Sequence, residues 1–178
     1  MEKLIQLLEK IQQTSMDVEY LRKRLPKKCN VIDYTAIKEG HRSDVFRGLE
    51  ALVVLIPKKG SDLGHFVVLI PREHHIEYFS SLGGTPHSEL QKLGEPEKRM
   101  TDILGKNFIV NTKKLQSGAY NIEDCGLWVI LRCMLRHLKL REFQELFQSS
   151  IHLQTSDQIA ACLGGIMFLA DGQLDKAD

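Results

Sequence analysis

The sequence lacks a long apolar run. Its longest ones, Ala51–Pro57 and Phe66–Pro71, fall far short of the about 20 residues that a membrane-spanning helix needs. Residues 1–13 carry charges and contain neither an uninterrupted apolar stretch nor a small-residue cleavage site, so a secretory signal is not expected. These absences predict an intracellular protein without a membrane partner.

An excess of charge is also missing. The 24 basic and 23 acidic side chains give a formal net charge of +1, which excludes binding driven by overall charge to nucleic acid or to an acidic membrane. Of the 178 residues, 43% are hydrophobic and 26% are charged, which is typical of a globular protein. The length predicts one domain over residues 1–178.

Cysteine is too scarce for a small domain built on disulfides, and thiols stay reduced inside cells. No two cysteines have CxxC spacing, and no glycine-rich phosphate loop follows a predicted strand. We therefore expect neither a metal site nor a cofactor. The four cysteines are Cys29, Cys125, Cys133 and Cys162.

Hydrophobic periodicity predicts an α+β fold with a small antiparallel sheet, because short apolar runs follow one another closely between Gly and Pro. Residues 1–50 are expected to form a helical elaboration, and residues 51–170 the core. The predicted strands are Ala51–Ile56, His65–Ile70, Ile76–Ser81 and Phe108–Asn111. The predicted helices are 2–13, 15–24, 125–138, 140–147 and 156–169. Ser156 or Asp157 is expected to cap the last helix.

The helix over 125–138 is apolar around most of its circumference, which predicts a central, buried helix with Arg132, Arg136 and His137 as its solvent-facing stripe. Cys125 stands at its N-terminus, where the helix dipole lowers a thiol pKa and favours the nucleophilic thiolate. The alternative interpretation of Cys125 is a buried structural cysteine.

Two other residues complete a candidate site. His65 begins a core strand, a rigid position from which to project a base. Gln116 precedes Cys125 by nine positions, and its amide can donate to a developing oxyanion together with the Cys125 backbone N–H. Singly, each can be a structural histidine or a solvated amide. Their joint order, His, Gln, then Cys-Gly, favours a catalytic site.

A set of motifs in Ala51–Leu163 carries a family resemblance. The motifs are GHFVVLI, IEYFSSLGGTPHSEL, FIVNTKKLQ, DCGLWVILRCMLRHLKLREF and SDQIAACL. The sequence resembles the adenovirus-endopeptidase-like cysteine proteases, a superfamily that includes SUMO-deconjugating proteases. The likeness is greatest to maturation proteases of virophages, Maverick/Polinton elements and large DNA viruses. It implies an adenain-like, papain-related fold with His65 as general base, Cys125 as nucleophile and Gln116 as oxyanion donor.

One position departs from the family. The family has an acid that orients the histidine, and Ser80 occupies its place here. Glu77 should point to the opposite strand face, and Glu73 is a further candidate. The site can also work as a Cys–His pair, because a thiol ionises with modest help. From the sequence, Ser80→Asp is expected to leave activity unchanged or to raise it.

The resemblance implies an endopeptidase that cleaves after small residues or glycine and matures capsid and core precursors of a virus or virus-like element. It would act in the host cytoplasm or nucleus and in the virion. The basic segment Arg22–Lys28 is a solvated face or, as in adenoviral relatives, a DNA-activator site. The alternatives are a deconjugase for ubiquitin-like proteins, an acyltransferase, and a non-catalytic binding module.

Overall fold

The computed structural model of this protein describes residues 17–38, 45–117, 125–147 and 155–170, with only the backbone given for 166–170. The helix predicted for 2–13 lies outside these residues. None of the helices in the described ranges is long and apolar enough to cross a membrane.

The fold is α+β, as predicted: helices pack against a five-stranded sheet. The strands are β1 Cys29–Asp33, β2 Ala51–Pro57, β3 Gly64–Pro71, β4 Ile76–Phe79 and β5 Phe108–Val110. The helices are α1 Val18–Arg24, α2 Pro86–Leu93, α3 Lys98–Leu104, α4 Cys125–Met134, α5 Leu140–Glu145 and α6 Ser156–Ala170. Sequence analysis missed β1, α2 and α3.

The sheet is mixed, with strand order β1-β2-β3-β4-β5. The pairs β2–β3 and β3–β4 are antiparallel, as predicted. The prediction of an entirely antiparallel sheet is wrong at both edges, where β1–β2 and β4–β5 are parallel. A parallel pair needs a long crossover, and α2 and α3 provide it between β4 and β5.

Both faces of the sheet are covered, and β3 alternates between them. Phe66 and Val68 belong to the core beneath α4, whereas Val67 and Leu69 belong to the core beneath α2 and α3. This period of two, with both faces buried, explains why the strand reads as a continuous apolar run. The central helix α4 is buried as predicted, with fully buried Trp128.

The prediction that Arg132 faces solvent is wrong, because Arg132 is fully buried. Its Nε donates to Glu77 Oε1 at 2.7 Å, and Nη2 donates to Glu77 Oε2 at 2.9 Å. The guanidinium also donates to the carbonyls of Leu135 and Leu138. These bonds hold the chain as it turns after α4, which ends at Met134 rather than at the predicted residue 138. The Arg132–Glu77 pair therefore joins α4 to β4.

We expect Glu77→Ala to lower the free energy of unfolding by about 3–5 kcal/mol, because it leaves the Arg132 charge buried without its partner. Denaturant unfolding followed by circular dichroism measures the change. Glu73→Ala is the control: the Glu73 side chain is 86% exposed, so its removal should change stability by less than about 0.5 kcal/mol. Equal effects of the two variants would refute the structural importance of the pair.

Candidate active site

Three residues that are distant in sequence line one cleft of about 520 Å³: His65, Gln116 and Cys125. His65 is the second residue of β3, and Cys125 is the first residue of α4. The cleft therefore lies where the start of a core strand meets the N-terminus of the central helix. The structure brings together the three site residues chosen from the sequence.

His65 is held in the sheet opposite Ile56 of β2. Its neighbour Gly64 allows the strands to approach, because a Cβ there would lie 2.8 Å from the Ile56 carbonyl oxygen. Only 6% of His65 is exposed. Burial lowers the pKa of the imidazole below its ordinary value, and the negative charge of Glu89 opposes that shift. Burial therefore favours the neutral ring, the form that can act as a base.

Ser80, the residue that stands where the resembled proteases have an acid, contacts the histidine. Its Oγ lies 3.0 Å from His65 Nε2. The backbone of Ser80 is bound on both sides by Asn111, whose Oδ1 accepts from the Ser80 N–H at 2.8 Å and whose Nδ2 donates to the Ser80 carbonyl at 2.7 Å. Asn111 thus fixes Ser80 just beyond the ends of the two paired strands.

A buried acid lies behind Ser80. The Ser80 hydroxyl donates to Glu89 Oε1, and the Tyr78 hydroxyl donates to Glu89 Oε2 at 2.6 Å. Glu89 Oε1 lies 3.9 Å from His65 Nε2. Burial of Tyr78 is the largest cause that raises the pKa of its phenol well above the ordinary value of 10, and the negative charge of Glu89 is the next. The phenol therefore keeps its proton and remains a hydrogen-bond donor. A carboxylate thus approaches the histidine, but from α2.

Neither acid considered from the sequence reaches His65. Glu77 lies on the opposite face of β4, as predicted, and is bound to Arg132. Glu73 is exposed, 3.7 Å from the Nε2 atom of His74. Glu73 is therefore excluded as the acid that orients His65, because it lies in the turn before β4 and Ser80 follows the other end of that strand.

Gln116 is held by Ser81. The Ser81 hydroxyl donates to Gln116 Oε1 at 2.7 Å, and the Ser81 carbonyl accepts from the backbone N–H groups of Leu115 and Gln116. Because the Ser81 contact occupies Oε1, it fixes which way the amide lies, with Nε2 at its other end as the hydrogen-bond donor. An oriented NH₂ group in the cleft is what an oxyanion donor requires.

Asp157 connects α6 to both halves of the cleft. Its Oδ1 accepts from Trp128 Nε1 at 3.1 Å, and its Oδ2 accepts from the Ser117 N–H at 2.7 Å. Trp128 lies one turn beyond Cys125, and Ser117 follows Gln116. The prediction that Ser156 or Asp157 caps α6 is wrong, since Thr155 Oγ1 accepts from the N–H of Gln158.

The remaining cysteines lie away from the cleft. All four cysteines lie in the described residues, and none of them forms a disulfide. Cys133 is fully buried in the core, as predicted. A hydrogen bond from Cys133 lowers the pKa of Cys29, and the same contact, with burial, raises the pKa of Cys133 well above 9. The lowered pKa of Cys29 favours its thiolate, so labelling experiments on Cys125 have to control for Cys29.

Glu89, Asn111 and Asp157 were not predicted from the sequence to contact the site. For Glu89 a signal existed: Thr85-Pro86 is a helix start, and Thr85 forms a capping box with Ser88. That signal predicts an acid in the first turn of a helix directly after β4. Within the described residues, no group of three or more His, Cys, Asp or Glu side chains is placed to hold a metal ion.

Comparisons with known proteins give distant likenesses. No protein-family model matches the chain. It is 26% identical over 155 residues to the uncharacterised protein V9 of Sputnik virophage, covering 80% of this chain and 87% of that protein.

Among solved structures, the chain is similar to SUMO protease Ulp1 with its catalytic cysteine oxidised to a sulfenic acid, at 17% identity and a TM-score of 0.39, covering 94% of this chain and 77% of that one. It is also similar to the central domain of uncharacterised Lpg1148 from Legionella pneumophila, at 14% identity and a TM-score of 0.43, covering 92% and 97%. Such scores and identities establish no shared activity.

We expect the burial of neutral His65 to make the protein less stable in acid. Because the folded-state pKa lies below the ordinary value of about 6.5, the unfolded chain takes up the proton first as the pH falls. The free energy of unfolding therefore drops below about pH 6.5, by at most about 1.4 kcal/mol per pH unit. Urea unfolding of wild type and His65→Gln at pH 7.5 and 5.5 measures this slope.

The control is His74→Gln, since the His74 side chain is 83% exposed. It should keep the wild-type pH slope, whereas His65→Gln should flatten it. Identical slopes in all three proteins would contradict the assignment of a buried neutral imidazole.

Proposed function

We propose that this protein is a cysteine endopeptidase with Cys125 as nucleophile, His65 as general base and acid, and Gln116 as oxyanion donor. The observation that carries the proposal is the meeting of these three residues in one cleft, although 60 positions separate His65 from Cys125. Their residue types and order match the motifs of adenovirus-endopeptidase-like proteases.

The proposed reaction begins when Cys125 Sγ attacks the carbonyl carbon of the scissile peptide and His65 takes the thiol proton. Gln116 Nε2 and the Cys125 backbone N–H, at the N-terminus of α4, donate to the oxyanion. The C–N bond breaks as His65 gives its proton to the leaving amine. His65 then takes a proton from water, the resulting hydroxide attacks the thioester carbon, the C–S bond breaks to release the acid and the Cys125 thiolate, and His65 returns the proton to sulfur.

The proposed substrates are extended protein segments with small residues or glycine before the cleaved bond. Gly64 and Gly126 lie in the cleft beside His65 and Cys125 and contribute no side chains of their own. Leu63 and Leu82 line the same cleft and are 58% and 38% exposed, so they offer apolar contact to a bound peptide.

The proposed biological role is the maturation of capsid and core precursors of a virus or virus-like element, in the host cytoplasm or nucleus and in the virion. The motif resemblance and the virophage relative support this setting. The alternative substrates are conjugates of a ubiquitin-like protein, because their deconjugation uses the same chemistry. Cleavage of purified precursor proteins, compared with cleavage of ubiquitin-like fusions, separates the two.

We expect a thiol-directed electrophilic probe to label Cys125 faster than the other cysteines near neutral pH. Peptide mapping by mass spectrometry identifies the labelled residue. Because Cys29 has a lowered pKa, the comparison is made in a Cys29→Ser background, with and without Cys125→Ala. Loss of the fast labelling in Cys125→Ala supports the nucleophile, and unchanged labelling excludes it.

The labelling rate should also fall in His65→Ala, since the base that activates the thiol is removed. Cys162→Ser is the matched control: Cys162 is half-buried on α6 and has no part in the proposed reaction. That variant should keep wild-type labelling and wild-type peptide hydrolysis.

DNA activation through the basic segment Arg22–Lys28 remains a prediction. Two of its charges already have acidic partners, since Lys23 lies 3.1 Å from Glu19 and Lys28 lies 2.9 Å from Glu50. If DNA binds here, low-salt peptidase activity should rise with added duplex and the rise should weaken in Lys27→Glu. If peptidase activity at low salt does not change when DNA is added, DNA is excluded as an activator.

A further inference from the structure

The position that carries the acid in related sequences is a serine here, yet a buried carboxylate lies directly behind it. Glu89 is 4% exposed, and both of its oxygens accept hydrogen bonds from buried hydroxyls, those of Ser80 and Tyr78. A buried carboxylate is costly unless it is satisfied in this way. The Ser80 hydroxyl that satisfies one of these oxygens is also the group that touches His65, so it connects the buried carboxylate to the imidazole.

The hydrogen bonds at Ser80 Oγ define the protonation of His65. A hydroxyl has one proton and two acceptor lone pairs. The proton goes to Glu89 Oε1, so Ser80 Oγ can only accept from the imidazole at 3.0 Å and from the Leu82 N–H at 3.3 Å. His65 Nε2 must therefore carry the ring proton in the neutral state, which leaves Nδ1 as the ring atom able to accept a proton.

We propose that Glu89, acting through the hydroxyl of Ser80, is the positioning acid of His65. The inference rests on the proposed peptidase function. Glu89 orients Ser80 Oγ, and Ser80 Oγ holds the Nε2–H tautomer and the ring plane. When His65 takes the proton of Cys125 on Nδ1, the negative charge of Glu89, 3.9 Å from Nε2, stabilises the resulting imidazolium. The Nε2 proton stays on nitrogen throughout.

The local sequence builds this arrangement from two sides. The capping box of Thr85 and Ser88, with Pro86 at the first helical position, fixes the start of α2 and so places Glu89 in its first turn. Gly84 makes room for the carboxylate, because a Cβ there would lie 2.5 Å from Glu89 Oε1. The carboxylate is thus held where the serine hydroxyl can reach it.

Other charged or titratable groups also line the cleft around His65, and they enter any pH measurement on it. They are Asp17, Lys58, Asp62 and Cys125. The pKa of His65 is set by burial, which lowers it, and by Glu89, which raises it. Removing the charge of Glu89 should therefore lower the His65 pKa further.

The first test is NMR of the side-chain nitrogens of His65 in the full chain, without substrate. We expect the wild-type ring in the Nε2–H tautomer and a lower His65 pKa in Glu89→Gln. The matched control is Glu97→Gln, because Glu97 is an exposed acid 2.8 Å from a different histidine, His87. That control should leave the His65 resonances and pKa unchanged.

A ring found in the Nδ1–H tautomer in wild type, or a His65 pKa that does not move in folded Glu89→Gln, overturns the inference. The wild-type tautomer needs no variant, so the test survives if Glu89→Gln fails to fold. Neither readout depends on hydrolysis. Failure of the proposed peptidase function would instead appear as normal NMR behaviour with no turnover and no selective labelling of Cys125.

The second test moves the carboxylate from position 89 to position 80. Ser80→Asp alone places a second carboxylate against Glu89, and two adjacent carboxylates cannot both ionise. We now expect this variant to lose activity, in contrast to the expectation from sequence. The Ser80→Asp, Glu89→Gln double variant keeps one acid beside the imidazole and should exceed both single variants in kcat/KM.

In Glu89→Gln alone, kcat/KM should fall by at least about 10-fold, which is less than the whole factor of about 10²–10⁴ that general acid–base catalysis supplies, because His65 itself is still present. The limb of its pH–rate profile that reports His65 should move to lower pH. A double variant no better than Ser80→Asp, with both folded, would show that Glu89 does not act on His65 through position 80.

Discussion

The pleat at the end of β4 organises the site, because successive side chains of a strand point to opposite faces. Glu77 points to the face of α4 and binds Arg132. Tyr78 and Ser80 point to the face of α2 and bind Glu89. Ser81 then binds Gln116. One short segment thus holds α4, through Arg132, and also contacts His65 and Gln116, through Ser80 and Ser81.

Burial makes these contacts rigid. A buried polar group that loses its partner costs about 1–3 kcal/mol, and Ser80, Ser81 and Asn111 are all fully buried. Moving any of them would break hydrogen bonds in a place that water does not reach, which favours the observed arrangement. A site held in this way is organised before substrate binds, which is the condition for strong electrostatic stabilisation of a transition state.

Strands β2 to β5 and the central helix could be predicted because short apolar runs between Gly and Pro, and apolar residues at helical spacing, decide burial by themselves. Three errors have one cause: Arg132 was assigned to solvent, Asp157 to a cap and the sheet to a single direction. Each depends on a partner far away in sequence, namely Glu77, Trp128 and the edge strands. A charged side chain is normally exposed, so a sequence gives no sign that one is buried unless the partner that neutralises it in the fold is known.

The sequence by itself determined the α+β class, the helix that begins with Cys125, and the candidates His65, Gln116 and Ser80, because residue type and local spacing are written in the chain. It also singled out Ser80 as the position where the proteases that the motifs resemble have an acid. Only the tertiary structure decided which acid approaches His65. Glu89 lies 24 positions from His65 in sequence and on a helix of its own. Its approach depends on how α2 packs against β4, and packing geometry is a property of the folded chain alone.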